Sequence, residues 1–483
     1  MSSEHHESLG ADMGSEEFRA ALQRVGEWVA AYRERVGGMP VLSRVRPGEV
    51  GAGIPDAAPR EGEPVEAWLA DLDRLVVPGL THWNHPGFMA YFGISGSGPG
   101  ILGELVAAAF NVNGMLWKTS PALTEVEQAV LRWLASALGL PSDWFAMIAD
   151  TASTSTLVAL AAAREAAGVA VRERGLAGSR PLVMYCSEEA HSSVDKAGIV
   201  LGVGLENVRR IPSDSDFRMR VDLLDAAIRD DLAVGRMPFA VVATVGTTSA
   251  TAVDPVPAIA DACRRHGLWL HVDAAYAGSA AIAPEFRWLL EGCERADSLV
   301  TNPHKWLFTP IDCSVLYTRR PEVFRAALSL VPEYLRTDVG EVVDLMDYSF
   351  QLGRRFRALK LWWVFRHFGV DGIAERIREH CRLARTLAEW IDAEPGMERL
   401  APVTTSVVCF RLRPHGVDDE GELERANRAA LDAVNASGEV FLSHTKLKGR
   451  FCLRAAIGNL QTGETQVRRA FELTRGAAGA GLV

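Results

Sequence analysis

At 483 residues the chain is too long for one small domain and fits two or three, with ample core. Hydrophobic residues make up 48% and charged residues 23%, and a net charge of −10 is spread along the chain, which argues against a nucleic-acid partner or a membrane surface. Seven cysteines without CxxC spacing argue against a disulfide framework or a zinc site and fit a reducing cytoplasm.

The start, Met1-Ser2-Ser3-Glu4-His5-His6-Glu7, is polar and acidic and does not read as a signal peptide. His5-His6 reads as tail rather than metal site, and no apolar run is long enough to span a bilayer. From about 16 to 86 the pattern is helical, with Phe18-Leu22-Val25-Val29 and Val65-Leu69-Leu72-Leu75 at helical spacing. Such an arm lacks a core of its own and has to pack on something else. From about 98 to 370 short apolar runs alternate with helical stretches; strands are expected at 182–186, 239–245, 268–273, 298–301 and 313–317. That alternation predicts a mostly parallel sheet covered on both faces. One helix is marked by Pro121 and by Thr124 and Glu127 at capping-box spacing; Val126, Val130, Trp133, Leu134 and Leu138 share its face, and Gly139 stops it. Another is expected over 157–166, opened by the hydroxyl-rich Asp150-Thr151-Ala152-Ser153-Thr154-Ser155-Thr156. Beyond about 371 a long helix over 373–391 and strands at 406–412, 440–443 and 451–457 suggest a smaller α+β domain. The expected division is 1–97, an arm; 98–372, a large domain; and 373–483, a small one.

The chemistry concentrates at the carboxyl ends of the expected strands, where ligands bind in such sheets. Lys305 follows an apolar strand in Asn302-Pro303-His304-Lys305-Trp306, flanked by rings. Partial desolvation there suits Schiff-base chemistry with an aldehyde. A lone lysine after a strand is an ordinary surface residue, but Leu268-Trp269-Leu270-His271-Val272-Asp273-Ala274-Ala275-Tyr276 reads as a buried strand ending on an aspartate. A lysine for the aldehyde carbon and a buried aspartate for the pyridinium nitrogen are what pyridoxal phosphate requires. The hydroxyl-rich 150–156 segment reads as helix capping or as a phosphate cradle, and beside Lys305 and Asp273 it becomes the expected phosphate site. His191, after the 182–186 strand, is structural or stacks on a flat cofactor ring.

Together these segments resemble the group II pyridoxal-phosphate decarboxylases, and most closely the aromatic L-amino-acid decarboxylases. The resemblance runs from His85-Pro86-Gly87-Phe88 through Ala190-His191-Ser192-Ser193-Val194, Ala243-Thr244-Val245-Gly246-Thr247-Thr248 and Asn302–Trp306 to Phe451-Cys452-Leu453-Arg454. It implies an α/β chain of pyridoxal-phosphate fold type I, with an N-terminal helical arm and a small C-terminal α+β domain. By the same resemblance Lys305 would hold the cofactor, Asp273 would pair with its ring nitrogen, and Ala275 and His191 would pack on its two faces. Thr151, Ala152, Ser153, Asn302 and His304 would hold the phosphate, with Thr248 near the ring. His191 would also help set the substrate carboxylate perpendicular to the ring. The stretch 328–348 lacks periodicity and suits a mobile lid; its Tyr334 reads as a packing residue by itself and matches the family's lid acid. The family's aldehyde-forming oxidative relatives lack that hydroxyl.

The family pocket would be lined by Trp83, Tyr91, Phe92, Ile94, Met115 and Leu116, a mainly apolar set, with Gly353 leaving space for an indole. Where relatives acting on phenols carry a hydroxyl residue this chain has Ile94, and where they carry an aromatic it has Met115. Thr154 replaces a usual acidic residue. The resemblance therefore implies decarboxylation of tryptophan or phenylalanine, with tyrosine, dopa and 5-hydroxytryptophan as further substrates, by a two-fold dimer with both sites at the interface. The rival readings are an oxidative aldehyde synthase, a decarboxylase of an aliphatic or acidic amino acid, with Lys118 as the one nearby cation, and a non-enzymatic relative that keeps only the fold.

Overall fold

The computed structural model describes residues 12–330 and 342–477. Seven strands, β1 (Phe145–Ala149), β2 (Leu182–Ser187), β3 (Val208–Ile211), β4 (Met237–Thr244), β5 (Trp269–Asp273), β6 (Ser298–Thr301) and β7 (Ser314–Thr318), form one sheet in the order β1-β7-β6-β5-β4-β2-β3. The pairs β2–β3, β2–β4, β4–β5 and β5–β6 are parallel, while β7 runs antiparallel to both neighbours. Helices cover both faces, which is why β2, β5, β6 and β7 are buried along their whole length. All five expected strands of this domain are present. β1 and β3 were not expected. β1 is alanine- and methionine-containing and is made a strand by its pairing with β7, and β3 is an edge whose Arg209 and Arg210 pair with Asp231 and Asp195.

The helix Pro121–Leu138 forms as expected and stops at Gly139 in the left-handed region (φ 76°). Its cap differs from the expected one. Ser120 is the N-cap, its hydroxyl accepting the Leu123 N–H at 3.3 Å. Glu127 is wholly buried, accepting from the Ile148 N–H at 2.8 Å and from Arg354 at 2.7 Å. With Ser120 already capping, Glu127 is left to tie the helix to β1 and to a distant loop. Val130, Leu134 and Leu138 are buried as expected, but Trp133, at the edge of that stripe, is 46% exposed.

The small sheet is antiparallel, in the order β10-β11-β9-β8, with β8 (Met397–Arg399), β9 (Val407–Leu412), β10 (Ser443–Leu447) and β11 (Arg450–Ala456). The strand expected at 440–443 lies further on, at β10. Residues 440–442 instead border the 87–89 segment, where Phe88 bridges Phe441 and the Met89 N–H donates to the Phe441 carbonyl at 3.0 Å. The helix expected over 373–391 is the second half of Arg357–Ala393, which crosses residue 372 and kinks at Gly369. In the arm, the helix Ser15–Arg35 buries none of its residues, and Phe18, Leu22 and Val25 stay exposed, the stripe without a core that the pattern implied. All seven cysteines are free and buried.

Candidate active site

The carboxyl ends of β4, β5 and β6 lie in register, with Thr244 beside Asp273 and Asp273 beside Val300. The backbone ladder continues past the strands: the Val245 N–H donates to the Asp273 carbonyl at 2.8 Å and the Ala274 N–H to the Val300 carbonyl at 3.0 Å. The Asp273 backbone is thus tied on both sides, the residue is 6% exposed, and its Oδ1 accepts the Ala275 N–H at 3.1 Å. β6 runs directly into a single helical turn, Pro303–Trp306, which carries Lys305. Both side chains line a cavity of about 420 Å³. Burial holds the Lys305 ammonium below the usual lysine range; Asp273 opposes that shift and Arg454 adds to it.

The helix Ala152–Ala166 begins at the cavity, earlier than expected. Thr151 occupies its N-cap without a side-chain cap, so the first amides, those of Ala152 and Ser153 included, and the positive end of the helix face outward. His304 Nδ1 accepts the Cys313 N–H at 2.9 Å, and burial pushes its pKa down to about 3. The ring is neutral, with its proton on Nε2. The Asn302 side-chain nitrogen lies 3.4 Å from that nitrogen, so two N–H donors stand side by side, both left for an anionic ligand. His191 is held by the Ser193 N–H, which donates to its Nδ1 at 3.1 Å, leaving an Nε2 proton on the open side of the ring. Desolvation keeps its pKa below the usual value, with Asp273 opposing.

Among the described residues, three buried polar atoms on the cavity wall have no hydrogen-bond partner: Thr244 Oγ1, Asn302 Oδ1 and Arg454 Nη2. Buried polar groups are almost always paired, so this cavity is built for a polar guest. An aspartate for a pyridinium, a lysine for an aldehyde and a helix N-terminus for a phosphate, around one cavity, fit pyridoxal 5′-phosphate.

The cavity brings together Trp83, Tyr91, Phe92, Ile94, Thr151, Ala152, Ser153, His191, Thr248, Asp273, Ala275, Asn302, His304 and Lys305. It does not include Met115, Leu116 or Gly353. Met115 and Leu116 cluster with Met346, and Arg354, next to Gly353, is tied to the same loop by the Gly114 N–H, which donates to its carbonyl at 3.0 Å. Tyr334 lies outside the described residues. Lys118 is exposed and away from the cavity; the cation on its wall is Arg454, which corrects the expectation that Lys118 stands alone. Ser249, Ser443, His444 and Thr445 also line the wall and were not anticipated. Arg454 had a signal, an arginine within an apolar strand, whereas the β10 residues reach the site only because Thr445 Oγ1 meets Ser249 Oγ at 2.8 Å.

The family model of the pyridoxal-dependent decarboxylase conserved domain matches residues 47–413. Tryptophan decarboxylase 2 of Oryza sativa subsp. japonica is 41% identical, over 96% of this chain and 95% of its own. Phenylacetaldehyde synthase of Arabidopsis thaliana is 40% identical, over 95% and 96%. A crystal structure of Oryza sativa TDC with PLP and tryptamine superposes with a TM-score of 0.95 at 38% identity, covering 98% of this chain and 99% of that one.

Proposed function

The chain belongs to the pyridoxal-dependent decarboxylase family, and on that premise we propose that it decarboxylates an aromatic L-amino acid, tryptophan or phenylalanine ahead of tyrosine, dopa and 5-hydroxytryptophan, to the amine and carbon dioxide. Its cofactor is pyridoxal 5′-phosphate. The observation that carries the reading is the joint placement of Lys305 and Asp273 in one cavity whose outer wall is Trp83, Tyr91, Phe92 and Ile94. Trp83 lies 5.8 Å from Tyr91 and nearly parallel to it, a flat apolar surface for an aromatic side chain.

When bound, the cofactor supplies an electron sink for the bond that breaks at Cα. Asp273, fixed by the Ala275 amide, keeps a proton on the ring nitrogen so that the sink stays charged. Lys305, its proton loosened by burial, is the nucleophile for the aldehyde carbon. The Ala152 and Ser153 amides and the Asn302 and His304 side chains hold the phosphate, and neutral His304 does so as a donor through Nε2. His191 presents its Nε2–H to the open face, where it orients the departing carboxylate. Tyr334 supplies the proton that Cα takes up afterwards, and its hydroxyl favours amine over the aldehyde that a phenylacetaldehyde synthase makes.

The assembly belongs to the same proposal. The exposed stripe Phe18-Leu22-Val25 and the absence of Met115, Leu116 and Gly353 from their own chain's cavity support a two-fold dimer. In it one subunit's 113–116 and 352–354 segments and its Tyr334 complete the other's site. Among the described residues no helix is long and apolar enough to cross a membrane, and seven free cysteines fit a reducing cytoplasm.

Carbon dioxide and amine release, measured across the proteinogenic amino acids with dopa and 5-hydroxytryptophan, tests the substrate. Tryptophan or phenylalanine is expected to give the highest kcat/KM. Release from only aliphatic or acidic amino acids would sink the aromatic assignment, and aldehyde with peroxide in place of amine would favour the synthase reading.

A further inference from the structure

Two cations in the cavity share one aromatic ring. Lys305 Nζ lies 5.2 Å from the centroid of Phe92, and the Arg454 guanidinium carbon 4.6 Å from it. Among the described residues no hydrogen bond or ion pair holds Nζ; Asp273 acts on it through space, and the Phe92 ring is the group the amine lies over. The ring itself is fixed. Phe92 stacks on Tyr276 at 3.8 Å, Tyr276 on Trp306 at 4.6 Å, and the Tyr276 hydroxyl is bonded to Ser406 Oγ at 2.7 Å. Arg454 is equally fixed, donating through Nε to the Ser249 carbonyl at 2.9 Å and through Nη1 to the Tyr91 carbonyl. It pairs with no carboxylate among the described residues, and its like charge acts directly on Lys305.

We propose that Phe92 is the resting place of the Lys305 ammonium while substrate occupies the cofactor, a positioning role separate from any contact it makes with substrate. The need follows from the exchange chemistry. The substrate enters as an ammonium, its nitrogen forms a bond to the aldehyde carbon, and that carbon's bond to Nζ breaks. Nζ carries one proton while bonded to that carbon, and two of the substrate's three ammonium protons join it while the third stays on the substrate nitrogen, so the lysine departs as a cation. In this cavity a freed cation is repelled by Arg454 and drawn to Asp273, where it would compete with the ring nitrogen for the carboxylate. His191 and His304, the other titratable neighbours that interact with Lys305, are neutral rings whose Nδ1 already accepts a backbone N–H, and they offer it only further donors. The negative face of a desolvated phenyl ring holds an ammonium without neutralising it, so the lysine stays protonated, off Asp273 and within reach of the aldehyde carbon for its return.

The inference stands on the cofactor and not on which amino acid is the substrate. Its test replaces Phe92 with pentafluorophenylalanine, a ring of nearly the same shape with its quadrupole reversed, and compares Phe92→Tyr and Phe92→Leu. In the full-length enzyme stripped of cofactor, the pH dependence of Lys305 acetylation, read by mass spectrometry, gives the amine's protonation constant. The fluorinated ring and leucine are each expected to weaken protonation about three- to thirtyfold, and tyrosine to keep it within about twofold. In the holoenzyme given less substrate than sites, the resting cofactor absorbance should return more slowly with the fluorinated ring and normally with tyrosine. A protonation constant unmoved by fluorination overturns the proposal, as does a tyrosine variant that behaves like leucine. A change in substrate KM alone, with the lysine constant intact, would return Phe92 to the substrate wall.

Discussion

Around Lys305 the groups that face the cofactor are set by the sheet of their own chain, with Asp273 held in register between β4 and β6 and by the Ala275 amide. The loop cluster of residues 113–117 and 344–354 is held just as firmly, by the buried Glu127–Arg354 pair at 2.7 Å and by the Trp117 N–H, which donates to Asp344 at 2.8 Å. Yet nothing in the cluster reaches its own chain's cavity. Both regions carry residues that match the family's functional set, and both are rigid. The residues proposed to hold the cofactor thus meet inside one chain, while Met115, Leu116 and Gly353 stay outside that cavity, and the proposed dimer is what would bring them to the cavity of a second copy.

The largest expected effect separates the two directly. Lys305→Ala should cost on the order of 10⁴-fold in turnover, since it removes the nucleophile itself, and Tyr334→Phe should divert amine to aldehyde. Mixed under conditions that exchange subunits, the two variants should recover about a quarter of wild-type amine output, because about half of the dimers pair one intact Lys305 with one intact Tyr334. No recovery despite verified exchange would place both residues in one chain's site and break the comparison.

Acid should act next, and on the cofactor side. His271, His304 and His380 are buried around it, with pKa values pushed down to about 4, about 3 and about 4. Trp269 Nε1–H donates to Ser298 Oγ at 3.0 Å, so that hydroxyl donates to His271 Nδ1 at 2.9 Å; Trp306 Nε1–H donates to His380 Nδ1 at 3.0 Å. Each ring is neutral when folded and would be charged when unfolded below pH ~6.5, so unfolding takes up protons and stability falls with pH. The slope approaches about 1.4 kcal/mol per pH unit for each histidine between ~6 and ~4. Urea midpoints at pH 7, 6 and 5 measure it, and a flat series would show that these rings are not neutral. The 113–117 and 344–354 segments hold no histidine, so amide exchange there should not be the first to accelerate.

The smallest effect sharpens the comparison most. Met115→Ala should shift the preference between tryptophan and phenylalanine by about tenfold in kcat/KM, the scale of a resized apolar wall, while cofactor affinity stays unchanged. If cofactor affinity falls with it and preference does not move, the cluster serves stability rather than selection.

Asp273 and Lys305 were legible because the first ends a short apolar strand and the second follows one directly, and strand ends of a parallel sheet converge whatever the rest of the chain does. Thr151 and its neighbours were legible as a helix start for the same local reason. Glu127 was misread as a cap because capping is judged from spacing, whereas its partners Arg354 and Ile148 come from distant parts of the chain. Ser443, His444 and Thr445 carried no signal, since a polar run before a hairpin turn is ordinary. Local pattern and the alternation of strands with helices thus pointed to the α/β class, the cofactor and the two residues proposed to anchor it from the sequence by itself. Only the tertiary structure decided that Arg454 stands beside Lys305 with no carboxylate partner among the described residues, that the β10 residues close the wall, and that Met115, Leu116 and Gly353 lie outside it. Those outcomes depend on side chains hundreds of residues apart meeting across packed layers, which no period or spacing in the chain encodes.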